Sequence, residues 1–424
     1  MFSSDINLKN KNLFFSVDYL FLSLSFYLKV MKGFANLFGW IIEEKDFIKN
    51  STIVFLSSAF ASVILFLTNL YFSKLFGPVL FGNFKTVLYL FTLLPSLIDL
   101  GMSVTFQKYI AEFRMKDKKK IGYMVRWFLK IRIVSFLVLL GFLFIFNNQL
   151  AVYFLHDGSL SYLMIAGLLI LTTSFFSILR PMVGGYENFK LFSLSNILTN
   201  ILYAGIGIGL GYYFGIFYAI VGFSIATLIG NLACLKFLFK QDTFNRNEEF
   251  DVKKIFWKYS LPMHILNIPG FLGLGIVPVL SLFFSAKLIG YFSFAFMFYY
   301  AALIIPSSLS TVLLPKVSRL HGLNKHDEAF RSLKRILGTY TVIVVVGIIG
   351  TLLFSGWFVS LIAKDYLPGL LLFKVIVSMG FLLGYFAIYT SYLSAKGKIK
   401  ENAFIVLLQN LILFVVSFIL LSMS

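Results

Sequence analysis

Carboxylates, histidine and cysteine are scarce in this chain: 18 of 424 residues are Asp or Glu, four are His, and Cys234 is the single cysteine. One thiol excludes a disulfide framework and any multi-cysteine metal site. No HExxH stretch or Cys/His cluster points to a bound metal. No GxxxxGK[ST] loop is present either, so the chain lacks the usual means of hydrolysing ATP, and neither metal nor cofactor is expected. Charged residues of both signs amount to 13%, about half of the roughly 25% common in soluble domains. Apolar residues take their place, with 59% in the set AVILMFWYC and 52 Phe, and the mean hydropathy is +0.88. A chain this apolar must bury itself, which excludes both disorder and an ordinary soluble enzyme.

Apolar runs of about the 20 residues that a bilayer requires recur at 51–72, 84–104, 127–147, 160–180, 193–211, 216–237, 259–284, 289–313, 336–357, 368–391 and 403–422. Runs of this length predict helices rather than barrel strands. The loops between them alternate in charge. Segments 105–132, 180–192, 236–258, 314–335 and 393–402 hold 9, 2, 6, 6 and 3 Lys or Arg, whereas the intervening loops hold only Lys74, Lys85, Lys287 and Lys364. The positive-inside rule puts the first set, and an N-terminus with six further lysines, in the cytoplasm of a multi-pass cell-membrane protein. The formal charge of +19 then reads as orientation and as contact with anionic membrane lipids, not as nucleic-acid binding. Residues 13–30 carry Asp18, Lys29 and three serines, which suits an interfacial helix better than a span, and Met31 is an alternative start.

Displacing the chain against itself by 208 to 210 residues aligns Gly82 and Phe84 with Gly290 and Phe292, Lys108 with Lys316, Arg126 with Lys334, Lys190 with Lys400 and Asn200 with Asn410. The matches fall at equivalent points of successive helices and loops. They predict an all-α polytopic membrane fold of 11 to 12 transmembrane helices, in two parallel six-helix lobes related by a pseudo-two-fold axis along the membrane normal. The expected parts are an N-terminal segment 1–46, an N-lobe 47–240, a cytoplasmic linker 241–258 and a C-lobe 259–424 with a twelfth helix apparently missing. Such duplicated folds place substrate at the interface of the repeats.

The stretches FIKNSTIVFLSSAFASVILFLTNLYFSKLFGPVLFGNF (47–84), LIDLGMSVTFQKYIAEFR (97–114) and ILRPMVGGYENFKLFSLSNILTNILY (178–203) resemble the polysaccharide and O-antigen flippases of the Wzx type. Those belong to the multidrug, oligosaccharidyl-lipid and polysaccharide exporter superfamily. The resemblance covers about residues 47–424. It implies a non-enzymatic transporter that moves a lipid-linked oligosaccharide, a polyprenyl phosphate or pyrophosphate sugar, to the outer leaflet by alternating access. The product would be a surface polysaccharide such as lipopolysaccharide O-antigen. It also implies partners in the polysaccharide polymerase machinery and a coupling ion, proton or sodium. A multidrug cation antiporter of the same superfamily is the alternative, with a membrane oligosaccharide polymerase or ligase behind it.

Carrying an anionic phosphate through hydrocarbon requires replacing its hydration, for which Arg and Lys are suited. Ionisable groups inside spans are costly and mark pathways. Arg180, Lys374, Lys108, Lys130 and Arg132 are the substrate-binding candidates, and Asp99, His264 and Asn267 the coupling or cavity candidates. Lys374 either snorkels to the outer interface or faces a cavity. Asp99, followed by Gly101 in the DLG pattern of the family, either pairs with Lys108 or Arg180 or titrates. The run SLPMHILNIPGFLGLGIVPVL, with Pro269, Gly270, Gly273 and Pro278, predicts a broken seventh helix at the central pathway. Asn200 and Asn410 are expected to bond between helices, and Gly205 to Gly211 to allow close helix packing.

Overall fold

The structure, a computed structural model, describes residues 45–155, 160–245 and 248–423. The helix expected over 13–30, the alternative start at Met31 and most of segment 1–46 lie outside these residues. All regular elements among those described are helical.

Ten helices among the described residues are long and apolar enough to cross a membrane. The first, part of Lys45–Leu97, includes 46 such residues, which would be roughly 70 Å if straight, over twice the hydrocarbon thickness. It is not straight. Gly77 has φ 69° and ψ 177°, a region that essentially only glycine visits, and Pro78 follows with a φ suited to the first turn of a new helix. Lys85 Nζ donates to Asn69 Oδ1 at 2.6 Å, whereas sixteen residues of unbroken helix would separate them by about 24 Å. The chain therefore folds back at Gly77 into two antiparallel arms, α1 (45–76) and α2 (78–97). With α3 Lys119–Ile145, α4 Gly167–Gly185, α5 Phe189–Phe214, α6 Tyr218–Lys240, α7 Val252–Ser281, α8 Ala286–Gly322, α9 His326–Ile362, α10 Leu370–Ala395 and α11 Ile399–Ser422, the spans among the described residues number eleven, as the hydropathy predicts.

Among the helix starts that differ from the sequence reading, three bear on the pathway. The second span begins at residue 78 rather than 84, so Lys85 lies two turns inside it and not in a loop. The third begins at Lys119 rather than 127, which puts Arg132 in mid-helix, about 20 Å from its start. The seventh begins at Val252 rather than 259, through a π-helical turn at Phe256–Ser260, so part of the expected linker is already helix.

The two lobes meet in a reciprocal contact. A Cβ placed on Gly82 would collide with the carbonyl oxygen of Ala286, and one placed on Gly290 with that of Pro78. Positions 78 and 82 correspond to 286 and 290 at the 208-residue offset, so each half presents to the other the patch it receives, as a two-fold requires. Six crossings separate α2 from α8, so both run the same way and the axis lies along the membrane normal. Small residues are obligatory here, because the backbones themselves touch. Close packing explains part of the α5 glycine run: Gly207 backbone stands where a Cβ on Gly222 would go and Gly211 lies against Phe72, whereas nothing lies within 4 Å of a Cβ on Gly205 or Gly209.

Phe72, Phe81, Phe84, Phe292 and Phe294 are fully buried around this crossing, with Phe294 and Tyr366 stacked at 4.4 Å. Outward, α9 exposes Val342, Val345, Val346, Ile349 and Leu353, a face that only lipid satisfies. Below, the membrane side with the Gly77 turn is called the hairpin face, and the opposite side, where the basic loops lie, the basic face.

Candidate substrate pathway between the lobes

α2 turns one stripe toward the second lobe. Pro78 and Gly82 meet α8, Tyr89 lies 6.1 Å from Phe296 between ring centroids, and Leu93 reaches the space beside Gly275 of α7. The spacing of these positions keeps them within one side of an α-helix. Lys85 belongs to the same stripe and is 5% exposed. Its ammonium has Asn69 as hydrogen-bond partner and the rings of Phe81, Phe84 and Tyr89 at 5.3, 5.8 and 5.7 Å. Ring faces attract a cation, yet every one of these partners is neutral, and among the described residues no carboxylate pairs with it. Across the seam the second lobe adds Tyr300, 4.7 Å from Phe296, and Tyr299, whose hydroxyl accepts from Gln409 Nε2 of α11 at 3.3 Å.

Toward the basic face the seam changes character. α2 ends at Leu97, the chain turns through Leu100 and Gly101 with positive φ, and a second helix, Met102–Lys116, follows. Asp99 caps that helix, accepting from Ser103 N at 3.2 Å and Ser103 Oγ at 2.9 Å. Arg132 of α3 completes the carboxylate with a 2.7 Å ion pair, donates from Nε to Ser174 O of α4 at 2.6 Å, and is 2% exposed. The pairing expected for Asp99 with Lys108 or Arg180 is thus replaced by Arg132, because the early start of α3 carries that residue inward. α7 closes the cluster: Ser260 Oγ donates to Leu100 O at 2.7 Å, Gly101 leaves no room for a Cβ against Ser260 O, and buried His264 packs there with Nδ1 unpartnered.

The remaining candidates are dispersed. Arg180, in the helical segment Leu179–Gly185, donates to Asn196 Oδ1 of α5 at 2.6 Å. Lys108 is exposed, its ammonium 3.8 Å from the Tyr259 ring centroid and 4.9 Å from Tyr109. Lys130 is exposed on α3, on the stripe of Val134, Leu137 and Val138. Lys374 stands one turn into α10, half-buried. Asn267 and Gly270 are exposed on α7. The predicted break there does not occur: α7 stays helical through Pro269 and Pro278, and Asn410 Nδ2 donates to Pro269 O at 2.6 Å from α11, beside buried Gly273. Asn410 thus bonds between helices as expected, whereas Asn200 bonds within its own helix to Asn196 O. Lys85, counted among the loop lysines in the sequence, and Asn69, which nothing there singled out, are polar residues that the sequence reading missed on the seam.

A two-lobed bundle with a polar seam on its pseudo-two-fold is the architecture of membrane transporters. The chain superposes with a TM-score of 0.60 on a multidrug resistance MATE family transporter of the MOP superfamily in an inward-facing conformation, at 13% identity over 86% of this chain and 94% of that one. It is similar to the lipid II flippase MurJ in an inward closed conformation, at a TM-score of 0.59, 18% identity and 88% and 87% coverage. It is similar also to a eukaryotic MATE transporter, AtDTX14, at 0.57, 13% identity and 89% and 94% coverage. No curated protein sequence matches it. Residues 47–321 match the family described as Polysaccharide biosynthesis protein, and the chain belongs to that family.

Proposed function

We propose that this protein flips a lipid-linked oligosaccharide across the membrane by alternating access, with the phosphate or pyrophosphate of the carrier read by cations on the inter-lobe seam. The observation that carries the reading is Lys85, a buried ammonium on the α2 stripe facing the second lobe, held among the described residues by an amide and aromatic rings. A cation at this depth is costly, and a mobile anion is the partner that would offset that cost during transport. Arg180 and Lys374 are the further basic contacts on the route, and the basic face is the cytoplasmic one. Asp99 disfavours a cation antiporter, since its carboxylate is already matched by Arg132 and has little left to offer a cationic drug.

Lys85→Met, Arg180→Gln and Lys374→Gln are expected to abolish export of the polymer while membrane insertion stays normal, and Lys85→Arg to restore part of it. The readout is surface polysaccharide together with the lipid-linked sugar that accumulates inside, identified first in a strain lacking the gene. Unchanged export in Lys85→Met would overturn the reading.

A further inference from the structure

Two tyrosines meet on the seam at mid-depth, one from each lobe. Tyr89 stands near the middle of α2, one turn on from Lys85, and Tyr300 near the middle of the apolar stretch Ala286–Ser310 of α8. Phe292, Phe296 and Tyr300 recur every four residues, so they share one face of α8, and Phe296 on that face meets Tyr89 at 6.1 Å. Tyr300 extends the same face by a turn, its ring 4.7 Å from Phe296. The two phenol oxygens lie within electrostatic reach of each other. Tyr89 is half-buried and Tyr300 is 39% exposed.

Tyrosine exposed to a membrane settles at its interfaces, as Tyr212, Tyr213 and Tyr218 do at the turn between α5 and α6. Tyr300 instead opens at mid-span on the face turned to the first lobe. Among the described residues neither its hydroxyl nor that of Tyr89 has a hydrogen-bond partner. Tyr299 shows the contrast, being buried with its hydroxyl taken up by Gln409. An unpaired phenol against hydrocarbon is costly, so the surface that Tyr89 and Tyr300 share suits an occupant with both an apolar face and hydroxyl groups. A hydrophobic cation would also be drawn to the rings, but the Lys85 ammonium, 5.7 Å from the Tyr89 ring, repels it.

We propose that Tyr89 and Tyr300 form a pyranose subsite beside Lys85, in which the sugar bonded directly to the carrier phosphate lays its C–H face on the Tyr300 ring. The inference rests on the reading of Lys85 as the phosphate contact. A ring face is electron-rich and attracts the weakly positive C–H bonds of a pyranose, while the sugar hydroxyls bond the free phenol oxygens. Sugar and phosphate share a bond, so a phosphate at Lys85 leaves its sugar beside Tyr89, one helical turn or about 5 Å further along α2. Because each lobe supplies one tyrosine, the sugar contacts both halves at once.

The test presents the intact protein in detergent with two probes: the lipid-linked sugar purified from the strain lacking the gene, and the same carrier after mild acid has removed its sugar. Retention of each is read by native mass spectrometry. The wild type is expected to prefer the sugar-bearing form by roughly two- to tenfold, the range that one aromatic contact supports. Tyr300→Ala should lose this preference and still retain the bare carrier, Tyr300→Phe should keep most of it, and Lys85→Met should weaken both probes alike. Should Tyr300→Ala fail to fold, Tyr89→Leu carries the same expectation. No preference in the wild type, its full survival in Tyr300→Ala, or an equal loss of both probes in that variant overturns the subsite and leaves the phosphate reading standing. Undiminished retention of both probes by Lys85→Met strikes the phosphate reading itself.

Discussion

Arg132 and Asp99 form the most enclosed ion pair among the described residues, and the consequences for substitution are asymmetric. Breaking such a pair by removing one charge leaves the other uncompensated, at a cost of about 3 to 5 kcal/mol, whereas removing both together can be close to neutral. Asp99 also accepts both bonds from Ser103, and Arg132 also holds Ser174 O. Asp99→Asn and Arg132→Leu are each expected to lower thermal stability in detergent markedly, and the double variant to recover much of it. Additive losses in the double variant would show that the two residues act independently. The importance of Arg132 was legible in its type, since a charge in a span marks a site, but its partner was not. Lys118, Lys119 and Lys120 lower the hydropathy of the first turn of α3, so the helix looks eight residues shorter than it is. Lys85 was hidden by a related effect, because FGPVLFGN reads as a loop although the backbone leaves the helix at Gly77 alone.

Helices were the most legible level, because the bilayer imposes a length that composition reports directly. The eleven spans and the 208-residue repeat came from that pattern, and the backbone contacts of Gly82 and Gly290 give the repeat its physical basis. Helix breaks were legible less well. Three prolines and three glycines made α7 look discontinuous, yet the real discontinuity is at Gly77, where backbone conformation and not residue count decides. Two glycines test this. Neither Gly77 nor Gly141 has any atom within 4 Å of a built Cβ, so space does not distinguish them. Gly77 needs a positive φ, and Gly77→Ala should destabilise by about 1 to 3 kcal/mol. Gly141 lies within α3, where Gly141→Ala should stabilise by up to about 1 kcal/mol. Thermal unfolding of the two variants should therefore shift in opposite directions, and a stabilised Gly77→Ala would mean that the hairpin turn is not formed as described.

At the scale of the whole molecule, the two lobes touch on both faces. On the hairpin face, Tyr366 donates its hydroxyl to Ser73 O at 3.1 Å beside the Gly82 and Gly290 crossing. On the basic face, α7 meets the first lobe through Ser260 and Leu100, Tyr259 and Tyr109 at 5.4 Å, and the Lys108 ammonium over Tyr259. Under the proposed alternating access the lobes would part on one face at a time, and each set of contacts would break in turn. Backbone meets backbone on both faces, at Gly82 and Gly290 on the hairpin face and at Gly101 and Ser260 on the basic face, where side-chain packing is added. Cysteine pairs replacing Ser73 with Tyr366 and Lys108 with Tyr259, in a Cys234→Ser background, can be bridged by a short reversible bifunctional thiol reagent. Bridging either pair is expected to stop transport, and reduction to restore it. If the Ser73 and Tyr366 bridge leaves transport intact, the hairpin-face contact is a fixed pivot, and the motion is a one-sided opening of the basic face around the pseudo-two-fold contact of Gly82 and Gly290.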